Sequence, residues 1–463
     1  MTQESDINLA AATRIAGRVR GLGGRALVVG GWVRDRLLGI SSKDIDLEVF
    51  GIPSAHLRTL LEEFGPVNAV GESFTVYKVG EIDVALPRRD SKRGRGHRGF
   101  EVTGDPAMTL DEAARRRDFT VNAIAWDLLT GEYLDPAGGR ADLLERHTLR
   151  AVDPSTFGDD SLRVLRGLQL AARFQLTMDP GTKNLCRRIP LDDLPAERIW
   201  GEVEKLLLLA EQPSIGFELA LELGVIDRLF PELKALVGCQ QEPEWHPEGD
   251  VWVHTLMVID QARTRIHDLD RPRQIAVMLG AVCHDLGKPV TAAVIDGRIR
   301  TINHEQAGVA PATSLLDRLN LHTISGFDVR RQVLGLVATH LTPNAFHKSK
   351  APVGDGAFRR LAQKVDLELL ARVAKSDCLG RTGEFDCSGI DRFLERARAL
   401  GVEHAPPRPI LMGRHLLELG VPPGPRMGEI LREVYGRQLD GRVTTIEEGI
   451  DAAREILASG KTP

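Results

Sequence analysis

The sequence predicts an α+β chain, a small mixed α/β head followed by an all-helical remainder. Three observations predict it. First, strand-like and helical patterns alternate near the N-terminus: Ala26–Val29, Trp32–Leu38, Asp44–Phe50, then a hairpin around Gly80. Second, from Asp159 onward the apolar period is helical. Third, polar, proline-containing stretches at Gln240–Asp250 and His404–Ile410 interrupt that helical part. These breaks suggest a head at 1–150, a neck at 151–238, a body at 239–400 and a tail at 401–463. A length of 463 residues suggests about three domains, so a chain of several parts is expected.

Composition excludes several classes. At 42% hydrophobic and 27% charged, the chain has the make-up of an ordinary globular protein. Its net charge of −5 rules out a polycation, so a nucleic-acid partner must be held by local basic patches. The five cysteines form no CxxC pair and leave one unmatched, which points to reduced thiols rather than a disulfide framework or a cysteine zinc site. The N-terminus MTQESDINLAAATRIAG lacks a signal-peptide pattern, and no apolar run approaches the ~18–20 residues of a membrane span. The expected location is cytoplasmic.

The head is organised around ALVVGGWVRDRLLGISSKDIDLEVFG, Ala26–Gly51. Gly30 and Gly31 end the first strand and let backbone N–H groups approach a phosphate, which Arg34 can grip. Asp44 and Asp46, two apart on the next strand, point the same way about 7 Å apart. Such like charges repel unless a cation lies between them, and magnesium suits an all-oxygen pair. The parts together describe a site for a metal-bound nucleoside triphosphate.

That ordered set resembles the nucleotidyltransferase superfamily that includes DNA polymerase β. In its detail, GGWVRDRLLG…DIDLEV, it looks like the class II bacterial tRNA nucleotidyltransferases, the CCA-adding enzymes, and bacterial poly(A) polymerases share it closely. The resemblance implies a third carboxylate on the hairpin strand, best matched by Asp83, and a flexible loop taking part in nucleotide switching at the basic stretch Arg88–Phe100. In RRRDFTVNAIAW (Arg115–Trp126), read as helical, Arg117 would meet a phosphate. Asp118 and Asn122, at i and i+4, would meet the ribose. Asp135–Gly139 is a turn of structural role.

In the neck, DDSLRVLRGLQLAARF puts Asp160, Arg163 and Arg166 on one helix face opposite Leu162, Leu165 and Leu168. The resemblance makes this face the reader of the incoming base. A carboxylate and a guanidinium can accept from and donate to the amino and ring-acceptor edge of C or A, against the carbonyl of U or G. Arg198 and Glu202, at i and i+4, read as a salt bridge.

Beyond the junction, His254, His284, Asp285, His304, His340 and Asp377 follow in the order H…HD…H…H…D. Imidazole and carboxylate together suit a divalent transition metal. The set resembles the metal-dependent HD phosphohydrolases in their two-metal form. The tail's VPPGP turn and LDGRV resemble the segment that holds the tRNA elbow in the same nucleotidyltransferases.

The expected function is template-independent addition of C, C and A to the tRNA 3′ end. CTP, ATP and tRNA would be the partners, with magnesium on Asp44, Asp46 and Asp83, and a phosphohydrolase side activity at the HD site. The rivals within the class are a CC-adding or A-adding specialist and a poly(A) polymerase. Those outside it are a phosphohydrolase with a nucleotide-sensing head and a non-catalytic RNA-binding protein.

Overall fold

Strand β1 (Arg25–Val29) is buried along four of its five residues because it is the inner strand to which the head adds its others. The computed structural model describes residues 3–42, 44–70, 76–92 and 100–459. Its chain divides into two units, 1–229 and 230–463.

In the first unit, the further strands are β2 (Ile45–Phe50), β3 (Asn68–Val70), β4 (Val76–Val79), β5 (Ile82–Ala85), β6 (Arg88–Lys92), β7 (Phe100–Gly104), β8 (Ala125–Trp126), β9 (Tyr133–Leu134), β10 (Thr148–Leu149) and β11 (Thr177–Met178). Among the described residues a seven-stranded mixed sheet runs β3-β4-β5-β2-β1-β8-β9. β2 and β5 are parallel, the crossover between them containing helix Ser54–Glu62, and their register sets Asp46 opposite Asp83. One face is covered by helices Gln3–Gly21 and Ser54–Glu62, whose Ala12, Ile15, Val19, Leu57 and Leu61 share a core with Val28, Leu47 and Val49.

Local expectations give way in four places here. Asp44 stands just before β2 rather than within it. The stretch Arg115–Trp126 is not a helix: Leu110–Arg115 ends one, Phe119 is extended (φ −124°, ψ 149°), and Thr120–Asn122 makes a single 3-10 turn before β8. Asp118 Oδ1 takes the Phe119 N–H at 2.7 Å, the kind of side-chain bond that competes with a helix, and Phe119 is wholly buried. The ends of the basic stretch are not loop but pair as an antiparallel ribbon, Arg88↔Gly104 to Lys92↔Phe100. Arg93, Arg95, His97 and Arg98 lie outside the described residues. Finally, helix Leu162–Phe174 begins after Asp160, which is itself extended.

The second unit is helical except for short two-stranded ribbons. One of these, Ala292–Ile295 with Arg298–Thr301, turns through Asp296 and Gly297, both at positive φ (53° and 74°), as an Asp-Gly hairpin turn requires. Helices Val251–Arg263, Arg271–Cys283, Val329–Thr339 and Leu367–Leu379 form its body. The tail has a core of its own, with Leu411, Leu416, Ile430, Val434 and Ile456 among its members. One cysteine expectation is corrected. Cys378, in the last turn of Leu367–Leu379, and Cys387, at the cap of Ser388–Ala399, have Cα atoms 6.0 Å apart and are disulfide-bonded. The pairing comes from the packing of two helix ends, which no CxxC spacing signals. No helix among the described residues is long and apolar enough to cross a membrane.

Candidate nucleotide site and candidate metal centre

The C-terminal end of β1, β2, β5 and the helix Leu162–Phe174 line a recess of about 560 Å³. Asp46 and Asp83 face it from neighbouring strands, which run ~4.8 Å apart. Water reaches the Asp46 carboxylate, yet protein surrounds it. Burial pushes its pKa above the ordinary carboxylate value. Arg117 opposes that rise, while Asp83, Asp44 and Glu48 add to it. A carboxylate pair in register, with the charge of Asp46 disfavoured first by burial and then by nearby carboxylates, fits a divalent cation with oxygen preference.

Gly30 has a left-handed backbone (φ 77°), and a Cβ there would lie 3.1 Å from Arg117 Nη1 and 3.6 Å from Asp46 Oδ2. Glycine is what lets the chain pass so close to the recess floor. Gly31 and Arg117 line the same recess. Arg34 does too, but it is not a free hand for phosphate. Buried at 5% exposure, it gives Nε and Nη2 to Asp35 Oδ1 (2.9 and 2.6 Å) and Nη1 to Asn122 Oδ1 (2.6 Å), and it stacks on Phe174 at 4.1 Å. Asn122 Nδ2 in turn donates to Asp118 Oδ1 (3.0 Å), and Asp118 Oδ2 meets Arg166 Nε at 2.8 Å. Arg34, Asn122, Asp118 and Arg166 therefore form one chain of partners beneath the recess.

The neck residues reach the recess from its other side. Asp160 Oδ2 accepts from Arg198 Nη2 (3.0 Å), and its Oδ1 accepts from the Leu162 N–H (3.1 Å). The expected Arg198–Glu202 pair is thus replaced: Glu202 bonds Lys205 at 2.8 Å. Arg163 is tied to two carbonyls, Thr156 O (3.0 Å) and Arg116 O (2.7 Å). Glu48 was missed by sequence reasoning. It lies two residues beyond Asp46, hence on the same strand face, and sits 3.5 Å from both Arg116 Nη2 and Arg117 Nη2. Applying the strand period one step further would have found it.

In the second unit, the six His/Asp residues converge. Asp285 Oδ2 is 3.1 Å from His284 Nε2 and 3.7 Å from His254 Nε2, and its Oδ1 is 3.3 Å from His304 Nε2 and 3.9 Å from His340 Nε2. Asp377 Oδ1 lies 3.1 Å from His254 Nε2. Three of the rings give Nδ1–H to a carbonyl three residues back: His284 to Ala281 (2.8 Å), His304 to Thr301 (2.7 Å) and His340 to Val337 (2.9 Å). That leaves Nε2 lone pairs facing one another across 3.3 Å for His304 and His340. His284 Nε2 and Asp285 Oδ2 are buried with no hydrogen bond of good geometry, although Lys288 Nζ lies 2.7 Å from the latter. Convergent imidazole nitrogens around a carboxylate, that of His284 orphaned, fit a divalent transition metal.

Gly287 keeps the HD turn in place. A Cβ there would fall 2.0 Å from His304 O, so the turn lies directly against the segment that carries His304. The adjoining cleft of about 570 Å³ is lined by Lys288, Arg300, Lys348, Arg381 and Trp245. Lys288, Glu248 and His246 at this centre were not anticipated. Lys288, buried and hydrogen-bonded to Gln241 at 2.5 Å, stands three residues after Asp285, one helical turn away, and that spacing was the available signal.

Comparison with known families matches residues 26–150 to the poly A polymerase head domain. It matches residues 176–236 to a family described as the probable RNA and SrmB-binding site of polymerase A. The "Multifunctional CCA protein" of Xanthomonas campestris pv. campestris is 35% identical over 424 residues, 87% of this chain and 95% of that protein. That of Stenotrophomonas maltophilia is 41% identical over 306 residues, 64% of this chain and 71% of its own length. The fold is shared with the Bacillus stearothermophilus CCA-adding enzyme solved with CTP (TM-score 0.65, 20% identity, 99% of each chain).

Proposed function

The chain belongs to the CCA-adding enzyme and poly(A) polymerase family, alongside its multifunctional CCA proteins, and from that premise we propose that it adds C, C and A to the 3′ end of tRNA from CTP and ATP. The observation that carries this reading at the level of atoms is the Asp46–Asp83 pair in register at the floor of a cation-lined recess. Asp46 and Asp83, with Asp44 beside them, would hold magnesium, which when bound activates the attacking 3′-hydroxyl and neutralises the departing pyrophosphate. Arg117, beside Gly30 and Asp46, is placed to meet the triphosphate. The Arg34–Asn122–Asp118–Arg166 chain supports the sugar-binding side, with Arg34 holding Asn122 in place. Asp160 and Arg163 line the recess where the base would lie, each fixed by protein partners before any nucleotide arrives.

The His–Asp centre supports a phosphohydrolase activity in the same chain. His254, His284, Asp285, His304, His340 and Asp377 would hold divalent metal, which when bound supplies an activated water and a Lewis acid for a phosphoester. Lys288, Arg300, Lys348 and Arg381 give the cleft the positive lining a phosphate needs.

The deciding experiment offers purified protein tRNA ending at the discriminator base, at C or at CC, with CTP and ATP singly and together. Completion of all three ends supports CCA addition. Growth only from CC would make it an A-adding enzyme, arrest at CC a CC-adding one, and long ATP-only tails a poly(A) polymerase.

A further inference from the structure

We propose that Glu248 is a positioning residue of the His–Asp centre: its carboxylate fixes the proton and tilt of His254, so that His254 presents Nε2 as a lone pair. The inference rests on the reading of that cluster as a metal centre. Glu248 lies just before helix Val251–Arg263 and its side chain is 1% exposed. Its Oε1 is 2.9 Å from His254 Nδ1 and 2.8 Å from His246 Nδ1, and its Oε2 accepts from the Thr382 N–H at 3.4 Å.

His254 needs such a partner because its own helix does not provide one. The other three rings rest on the carbonyl three residues back. For His254 that carbonyl, Val251 O, is four residues from Thr255 and accepts the Thr255 hydroxyl at 2.7 Å. The His254 ring points away from it, toward Gly380 O (3.2 Å) and Glu248. It is therefore the one imidazole of the four whose Nδ1 has, among the described residues, a carboxylate within hydrogen-bond distance. A carboxylate on the far nitrogen fixes the tautomer and makes the ring a stronger donor at Nε2.

The same three groups could instead enclose a cation of their own, and the distances decide against it. Nitrogens 2.8 and 2.9 Å from a single carboxylate oxygen are at charge-assisted hydrogen-bond length. A ring nitrogen that also faces Gly380 O carries a proton and has no lone pair to give. Through Thr382 and Gly380, the pair Glu248–His254 is fastened to the segment that follows Asp377, which faces His254 Nε2 from the other side.

The test uses full-length protein stripped with chelator and titrated with Co²⁺, followed by calorimetry and by the visible absorption of the bound ion. Wild type, Glu248→Ala, Glu248→Gln and the double variant His284→Ala/Asp285→Ala are compared. Glu248→Ala should bind Co²⁺ about 10- to 100-fold more weakly with an altered absorption band. Glu248→Gln, near in shape, should lose about tenfold because it brings no charge and turns an NH₂ toward one ring, while melting temperature and nucleotide addition stay at wild-type values. Wild-type Co²⁺ affinity and spectrum in Glu248→Gln would overturn the assignment, and this variant carries the test should the alanine variant not fold. Equal Co²⁺ binding by wild type and the double variant would instead remove the metal centre itself, a separate failure.

Discussion

The two clefts are nearly the same size, about 560 and 570 Å³, and are built on opposite electrostatic plans. In the head recess the cations are already spent on protein. Arg34 holds Asp35 and Asn122, Arg163 holds two carbonyls, Arg166 meets Asp118, and Arg117 leans on Glu48. In the His–Asp centre imidazole Nε2 atoms and carboxylates are aimed inward at one another. The first plan keeps flexible guanidinium groups in place on the protein's own acceptors. The second holds rigid rings on backbone carbonyls. Volume does not separate the two; the groups that face each cleft, guanidinium in one and imidazole in the other, do.

The largest expected effect breaks the head alone. Asp46→Ala should lower nucleotide addition by about 10²–10³-fold or more, because it removes charge stabilisation realised in the transition state. Binding of tRNA should change little. Single-turnover incorporation with radiolabelled CTP, beside filter binding of tRNA, checks both. Near wild-type turnover would remove the Asp46–Asp83 pair from the chemistry.

Next comes the converse break. His284→Ala/Asp285→Ala should reduce phosphohydrolase activity on a generic phosphoester by roughly 10²-fold or more and leave CCA addition within about twofold. Assaying both activities on one preparation checks it. Parallel loss in a folded protein would mean that the two sites do not act independently.

A smaller effect sharpens the comparison inside the head. Asp160→Ala should raise incorporation of UTP relative to CTP by roughly 5- to 150-fold, since a side chain to base-edge pair is worth about 1–3 kcal/mol. Triphosphate affinity should hold, because Arg117 and the carboxylate pair lie elsewhere on the recess wall. An equal loss for all four nucleotides would make Asp160 a scaffold for the turn into helix Leu162–Phe174.

What the chain's local pattern reveals follows from the range of the interactions. Strand alternation is local, so the Gly30–Gly31 turn and the cross-strand place of Asp46 are readable from neighbours in sequence. The ordered His/Asp series is readable because imidazole and carboxylate in such a run are a restrictive choice of residue type. Arg34 is different: its neighbour Asp35 takes Nε and Nη2, but its other partner, Asn122, is 88 residues away, and nothing near Arg34 signals that contact. Arg198 was expected to take Glu202 one turn on, yet the tertiary contact with Asp160, 38 residues away, wins. Asp118–Asn122 keeps its contact but loses its helix, since a wholly buried Phe119 and the Asp118 cap impose an extended step. Glu248 carries no ligand spacing and shows itself only through the ring it holds.

The smallest expected effect tests whether Asp160 is pre-set or set by its nucleotide. Burial alone would raise the Asp160 carboxyl. Arg198, first by its hydrogen bond and then by its charge, together with the Leu162 N–H and Arg163, outweighs that and lowers it. The lowered value keeps Asp160 ionised, an acceptor suited to the amino group of C or A, at all pH above the carboxylate range. Arg198→Ala removes the two largest opposing causes, so the carboxyl titrates at higher pH than in the wild type. A protonated Asp160 becomes a donor, which suits the carbonyl of U. Near pH 8 the variant should lose only about 2- to 5-fold in C-over-U choice, from ~0.5–1 kcal/mol of lost ordering. Toward about pH 5 the loss should grow, because protons gather on the raised carboxyl, while the wild-type ratio stays flat over the same interval. Single-nucleotide incorporation of CTP and UTP by wild type and variant across that interval measures the slope. A variant ratio independent of pH would show that Arg198 orders the helix pair and leaves the charge of Asp160 alone.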